Sequence, residues 1–225
     1  MHIPDGFLDA EVAAAAGVAA AGAVAFGLRR ADRTLDERAV PLLGVTGAFV
    51  FAAQMLNFTV AGGTSGHFLG AALAAVLLGP WIACLVLAVV LGLQAFVFAD
   101  GGITALGANV LNMGVIGGLG AGVVIAAGRR VLPATPTAFA GLVGIAAWLA
   151  VMAGAAATAL ELAASGTVPL GTVMPAMLGV HALIGVGEAV VTVAAVSAVL
   201  ASRPDLVAMA PPLAGPVSPN RPAEA

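Results

Sequence analysis

The sequence predicts an all-α integral membrane protein: a bundle of about seven transmembrane helices with its N-terminus outside and folded into the bundle. Three observations carry this. Of 225 residues, 61% are hydrophobic and only 8% charged, where a soluble domain carries roughly 25% charged residues. Mean hydropathy is +1.11. The eight basic residues are all arginines, and they cluster in a few loops. Such a chain is not a soluble globular domain, a nucleic-acid binder or a disordered polymer. Seven helices of about 20 residues use roughly 140 residues, which leaves room for loops. The single cysteine, Cys84, gives neither a disulfide framework nor a thiolate cluster.

The opening MHIPDGFLDAE carries Asp5, Asp9 and Glu11 ahead of its apolar run. A secretory leader is basic there, so the expectation is that this N-terminus is retained. The first span is about Ala10–Leu28. Small residues recur there every four positions (Ala13, Gly17, Ala21), which lets a helix of this chain or of another subunit approach closely. The second span is Pro41–Val60, followed by the Gly-rich loop AGGTSG at 61–66. The stretch 67–98 would be ~48 Å long as one helix, well beyond the ~30 Å hydrocarbon core. Gly79-Pro80 breaks it into a short leg, His67–Gly79, and a span, Trp81–Phe98. Thr104–Gly128, Thr137–Ala164 and Met177–Leu200 complete the set. The main domain is 1–201, and the Pro-rich tail 202–225 is expected to be disordered.

Charge tests this count. Arg29, Arg30, Arg33 and Arg38 follow the first span, Arg129 and Arg130 the fifth, Arg203 and Arg221 the seventh. Seven crossings put all of them on one side, which the positive-inside tendency makes cytoplasmic. Whether the short leg crosses fully or only dips in is not given by its length. Asp5, Asp9, Glu11, Asp100 and Glu161 then lie outside, with all three histidines: His2, His67 and His181.

A free amine followed by a histidine is a chelator. The amine of Met1, the deprotonated amide nitrogen of His2 and the His2 ring supply three nitrogens in fused rings. His67, closing the external loop, is the natural fourth. Square-planar nitrogen coordination suits Ni(II) or Cu(II), and low-spin Co(II) accepts it. The bland alternative is a frayed surface terminus. His181, in the first turns of the last span, is a water-interface residue or a partner that orients a ligand. Glu188 lies two turns further on the same face; a carboxylate at that depth is functional or paired. Asn109 and Asn112 fit interhelical hydrogen bonding. Gly101-Gly102 fits a tight turn. Asp5 and Asp100 either orient ligands or cap turns.

The opening MHIPDGFL, the segments GGTSGHFLGAALAAVLLGPW and QAFVFADGGITALGANVLNMG, and the later HALIGVGEAVVT resemble the CbiM/NikM family. These are the substrate-binding components of energy-coupling-factor transporters for cobalt and nickel. The resemblance runs from Met1 to about Ala201. It implies seven transmembrane helices, a place in the bacterial cytoplasmic membrane, and Ni(II) or Co(II) as transported substrate rather than cofactor. It implies Met1, His2 and His67 as metal ligands, with Asp5, His181 and Glu188 at most around them. It also implies partners: a transmembrane coupling protein, a pair of ATPase subunits and a small CbiN/NikN-type membrane subunit. The chain has no GxxxxGK[ST] phosphate loop and no lysine, so ATP hydrolysis is expected in separate subunits and the chain itself is not an enzyme.

Two other classes compete. Gly63-Thr64-Ser65-Gly66 matches the GxSG pattern of rhomboid intramembrane proteases, with Ser65 as nucleophile and His181 as base. That reading needs a Ser–His pair within hydrogen-bond reach. A stand-alone cation transporter needs coupling charges in its core, for which Glu188 is the one candidate.

Overall fold

In a computed structural model, which describes residues 1–34 and 40–211, seven helices cross or enter the bundle: α1 (Ala10–Thr34), α2 (Val40–Gln54), α3 (Ala71–Leu78), α4 (Pro80–Val97), α5 (Leu106–Gly128), α6 (Pro136–Ala164) and α7 (Leu170–Ser202). Five of them, all but α2 and α3, are long and apolar enough to cross a membrane. Several expected boundaries shift: the first helix runs on to Thr34, and the short leg is helical only from Ala71. The second span ends at Gln54 instead of Val60. The chain then forms a hairpin, β1 (Phe58–Thr59) and β2 (Ser65–Gly66), antiparallel with Phe58 opposite Gly66. The last helix begins at Leu170, not Met177, and carries Pro175 inside it. A proline so near the start removes one backbone bond from an otherwise continuous helix.

The short leg is the interior of the molecule. Ala71 to Leu77 are all buried, so α3 is apolar on every side, as a helix enclosed by others must be. Its eight residues rise only ~12 Å, but the chain enters it through residues 67–70 and so begins deep. At its far end Gly79 has φ +86° and Pro80 opens α4, the pairing that ends one helix and starts the next. The turn lies beside the basic end: Trp81 packs on Phe26 of α1, ring centroids 4.6 Å apart. The leg therefore traverses the bundle, and the parity of the arginine loops holds.

The small residues of α1 face another helix of the same chain. Ala16 and Ala20 are buried, and Gly107 of α5 sits directly on Gly17. In α5, residues Val110–Leu119 form a π-helix flanked by α-helical turns. Gly117 lies against Leu69 and Ala71, so α5 and the interior leg approach closely. α6 and α7 pair along their length, and the Trp148 indole donates to the Ala182 carbonyl at 3.1 Å.

The described part of the tail, residues 202–211, docks on the bundle. Pro204–Leu206 form a 3-10 turn, and Val207 and Met209 are buried. The Ala208 and Met209 N–H groups donate to the carbonyls of Leu77 and Val76, which gives the C-terminal end of α3 partners it would otherwise lack. Two apolar residues, Val207 and Met209, make this docking favourable despite the prolines. Arg38, Arg221 and the tail beyond residue 211 lie outside the described residues.

Candidate metal centre

The first eight residues form no helix. They thread into the end of the bundle and are tied down residue by residue. The Met1 amine donates to the Ser65 carbonyl and, at 3.3 Å, to Ser65 Oγ. The Met1 side chain is fully buried, with its sulfur against Gly154 of α6. The Ile3 N–H donates to Asn109 Oδ1 at 2.8 Å, and Asn109 Nδ2 donates back to the Ile3 carbonyl at 3.1 Å. The Gly102 N–H donates to the same carbonyl at 2.8 Å. Asp5 Oδ1 accepts from the Thr104 N–H and hydroxyl at 2.7 and 2.5 Å, and Thr167 Oγ1 donates to the Phe7 carbonyl. Irregular backbone is tolerated inside a membrane protein only where protein groups satisfy it, and here α5, the 98–105 loop and the 165–169 loop do so.

This threading stacks His2 on His67, with ring centroids 4.3 Å apart and an interplanar angle of 24°. His67 Nδ1 lies 2.7 Å from the Phe68 carbonyl, so that nitrogen carries the proton and Nε2 presents a lone pair. Both His2 ring nitrogens and His67 Nε2 are buried without a hydrogen-bond partner. Buried polar atoms are almost always paired, so three unpaired nitrogens in two stacked rings single these residues out as candidate ligands. Asp100 Oδ2 lies 3.6 Å from His2 Nε2 and accepts from Asn57 Nδ2 at 3.3 Å. Gly101 has φ +93°, and a Cβ there would lie 3.3 Å from His2 Nδ1, so glycine keeps that nitrogen uncrowded.

Burial sets the protonation. It lowers the Met1 amine from 8.0 to about 4, against the opposing pull of Asp100. It lowers His2 to about 3, with the nearby amine adding to the effect. Both groups are thus neutral at pH 7, the state in which they can act as donors to a metal. Among the described residues no three His, Cys, Asp or Glu side chains converge on one point. The donors gathered here are two imidazoles and backbone nitrogens, a set suited to planar coordination of Ni(II), Cu(II) or low-spin Co(II). A cavity of about 510 Å³, lined by His2, Asp5, Asp100 and Ser65 among others, leads to them from outside.

The remaining expected residues divide. Asp5 caps Thr104 rather than reaching the rings. Glu188 is buried, and its two oxygens accept from the Leu69 and Gly70 N–H groups at 2.9 and 2.7 Å. It fixes the strand that carries His67 and enters α3, together with Gln54, whose Nε2 donates to the Leu69 carbonyl at 2.8 Å. Both Glu188 oxygens are thus engaged by backbone, which is the paired alternative expected for a carboxylate at that depth. His181 is fully buried in the fourth turn of α7, deeper than the helix start expected for it. Its Nδ1 lies 2.7 Å from the Met177 carbonyl, and Nε2 has no partner. Ser65 contacts the Met1 amine and not His181, so the protease pair does not form. Asn112 makes the expected interhelical bonds, to Thr158 Oγ1 and Glu161. Asn109 does not. Its role as the clamp on Ile3, and those of Gly102 and Gln54, were missed. An asparagine that grips a backbone has the same sequence appearance as one that grips a helix.

Comparison with known proteins identifies the family. Residues 2–206 match the profile of a family described as CbiM, cobalt uptake substrate-specific transmembrane region. A protein of Haloquadratum walsbyi named as a metal transport protein is 41% identical, over 92% of this chain and 93% of its own length. A fused nickel transport protein NikMN of Rhodobacter capsulatus is 38% identical, over 98% of this chain and 67% of its own. A crystal structure described as that of a transition metal transporter aligns with a TM-score of 0.82 at 31% identity, over 89% of this chain and 93% of the other. The chain therefore belongs to the CbiM family and is a multi-pass membrane component of cobalt or nickel uptake, with the metal ion as its cargo.

Proposed function

We propose that this chain captures Ni(II) or Co(II) from outside and hands it inward as the substrate-binding component of an energy-coupling-factor transporter. The ligands are the Met1 amine, the amide nitrogen and ring of His2, and His67 Nε2. The observation that carries this is the buried N-terminus, which stacks His2 on His67 and leaves their nitrogens unpartnered. A hydrated ion enters the cavity beside Asp5 and Asp100, sheds water and displaces the proton of the His2 amide. Rigid planarity disfavours tetrahedral Zn(II).

Energy comes from partners: a transmembrane coupling protein and two ATPase subunits, with a small CbiN/NikN-type membrane subunit. The fused names of relatives such as the nickel transport protein NikMN support that last partner. The assembly resides in a bacterial cytoplasmic membrane with the arginine loops inside, as their one-sided distribution supports.

The test is metal stoichiometry of the purified chain with its native start against the same chain with a long N-terminal extension. One Ni(II) or Co(II) per native chain, lost on extension, is expected. Equal binding by both removes Met1 and His2 from the site. A single inserted residue is a poor control, because Met-Ala-His is itself a good Ni(II) and Cu(II) chelate.

A further inference from the structure

The His2 ring has two nitrogens without partners, Nδ1 and Nε2. Covalent geometry lets only one of them join a chelate that already uses the His2 amide. A metal on that amide nitrogen closes a six-membered ring through Cα, Cβ, Cγ and Nδ1. The Nε2 lone pair points away from the residue's own backbone and cannot reach the same ion. In the planar site His2 therefore binds through Nδ1, and its proton sits on Nε2. This is the opposite tautomer to that of the other two histidines. His67 and His181 each place Nδ1 2.7 Å from a backbone carbonyl, of Phe68 and of Met177, and keep the proton there.

One carboxylate stands beside Nε2. Asp100 Oδ2 lies 3.6 Å from it, about 0.4 Å beyond an N–H···O hydrogen bond. Among the described residues no other acidic side chain is in ion-pair range of His2. The loop around Asp100 is built to hold it there. Asn57 Nδ2 donates to Oδ2 at 3.3 Å, and the Asp100 N–H donates to the Gln94 carbonyl at 3.0 Å. Ala99, just before it, has φ +53°, and Gly101, just after it, φ +93°. Ala99 is the one non-glycine residue with positive φ among the described residues. Alanine is strained in that conformation, and such strain persists only where the surrounding structure enforces it. Gly101 in turn keeps Nδ1 uncrowded, because a Cβ there would lie 3.3 Å from it. The loop thus holds a carboxylate toward one nitrogen of the ring and leaves the other open.

We propose that Asp100 is a positioning residue for His2. Its carboxylate receives the Nε2–H of the ring, selects the tautomer whose Nδ1 lone pair is free, and fixes the orientation of the ring toward the metal. This rests on the planar-site reading above. Asp100 is not itself a ligand, since it approaches the nitrogen that the chelate leaves out. The proton stays on Nε2. A carboxylate behind a ligating imidazole orients the ring and raises its donor strength. The two ligand rings are therefore held by different means. His67 is held by a backbone carbonyl inside the bundle, and His2 by a carboxylate in the wall of the cavity that leads outside.

The experiment uses the full chain in detergent with isotope-labelled histidine. The chain has three histidines, so proton–nitrogen correlation NMR reads each tautomer. Without metal, His67 and His181 should carry Nδ1–H, and His2 alone Nε2–H. In Asp100→Ala the His2 signals should move toward a mixture of both tautomers. With Ni(II) bound, the ligand-field band of that variant should lie at longer wavelength than the native one, because the ring is a weaker donor. Affinity should fall about ten- to a hundredfold. Asp100→Asn keeps an acceptor oxygen without the charge and should fall between the two. Unmoved His67 and His181 signals report that a variant is folded, and where Asp100→Ala does not fold, Asp100→Asn carries the same test. Asp5→Asn removes an equal charge from the same cavity and should leave the His2 tautomer and the band at their native positions. Nδ1–H on His2 in the native chain overturns the proposal. So does a native tautomer and band in Asp100→Ala, or an equal band shift in Asp5→Asn. If the native chain binds no Ni(II), or binds it equally with an N-terminal extension, the planar-site reading fails and this proposal with it. Binding that depends on the N-terminus, with tautomer and band unchanged in Asp100→Ala, removes Asp100 alone.

Discussion

The two ends of the bundle are built on different principles. At the basic end, helices meet through turns that need little help. Thr135 caps α6 by accepting from the Ala138 N–H, Gly79-Pro80 turns the chain into α4, and the tail closes α3 with two backbone bonds. At the histidine end, residues 1–8, 55–70 and 98–105 run irregularly between the helices. Side chains from α2, α5 and α7 bind that backbone directly: Gln54, Asn109 and Glu188. The contrast teaches that polar residues inside this bundle are placed mainly to hold chain, so that a few nitrogens can be left unheld. A polar network is stable when it is complete; here the backbone around the rings is bonded while His2 Nδ1 and Nε2 and His67 Nε2 are left without partners.

That contrast can be broken at its centre. His67→Ala should abolish stoichiometric Ni(II) or Co(II) binding, at least about a hundredfold in affinity, while helix content by circular dichroism is retained. An equivalent alanine at Thr135 should leave metal affinity unchanged.

Acid should loosen the same end. The Met1 amine and His2 ionise near 4 and 3 when docked, against ordinary values of 8.0 and 6.5. Between those limits the undocked segment binds protons that the docked one refuses. Docking is therefore strongest above pH 8 and weakens as pH falls, by up to about 1.4 kcal/mol per pH unit for each group in its window. Hydrogen exchange at the Ile3 amide, corrected for the intrinsic effect of pH, should rise from pH 8 to pH 5. A flat corrected profile would show that the amine is docked in its charged form.

Glu188→Ala strips two backbone N–H groups of their acceptor. Leaving a buried donor without its acceptor costs about 1–3 kcal/mol each. The expected result is a destabilisation of several kcal/mol, together with weaker metal binding as the His67 strand loosens. Glu188→Gln, which keeps one acceptor oxygen, should lose roughly half as much stability in the same thermal unfolding series. The smallest effect belongs to Ser65→Ala. The amine rests chiefly on the Ser65 carbonyl, which the substitution keeps, so affinity should change by less than about threefold, under 1 kcal/mol. Loss of all function in that variant would revive the hydrolase reading.

Much of this was legible in advance. A break at Gly79-Pro80 was required because 32 apolar residues are too long for one crossing, and the arginine parity demanded an even number of legs there. The chelating pattern of His2 was legible because it depends on covalent connectivity, on an amine, an amide and a ring within two residues. The limits of the last helix were not: the expected span began at Met177, yet the helix starts at Leu170 and runs through Pro175, packed against α6. The tail's prolines suggested disorder, while Val207 and Met209 found buried places.

The sequence by itself determined that the chain lives in a membrane, how many times it turns, and which residue types could bind a metal, because hydropathy, charge parity and local chelation are properties of composition and short spacing. Only the tertiary structure decided that His2 stacks on His67 across 65 positions, that Asn109 grips a backbone and not a helix, that Glu188 holds the segment after His67, and that His181 is buried with Nε2 unpartnered. Those facts depend on which surfaces meet when the helices pack, and hydrogen-bond partners so distant in sequence leave no periodicity to read.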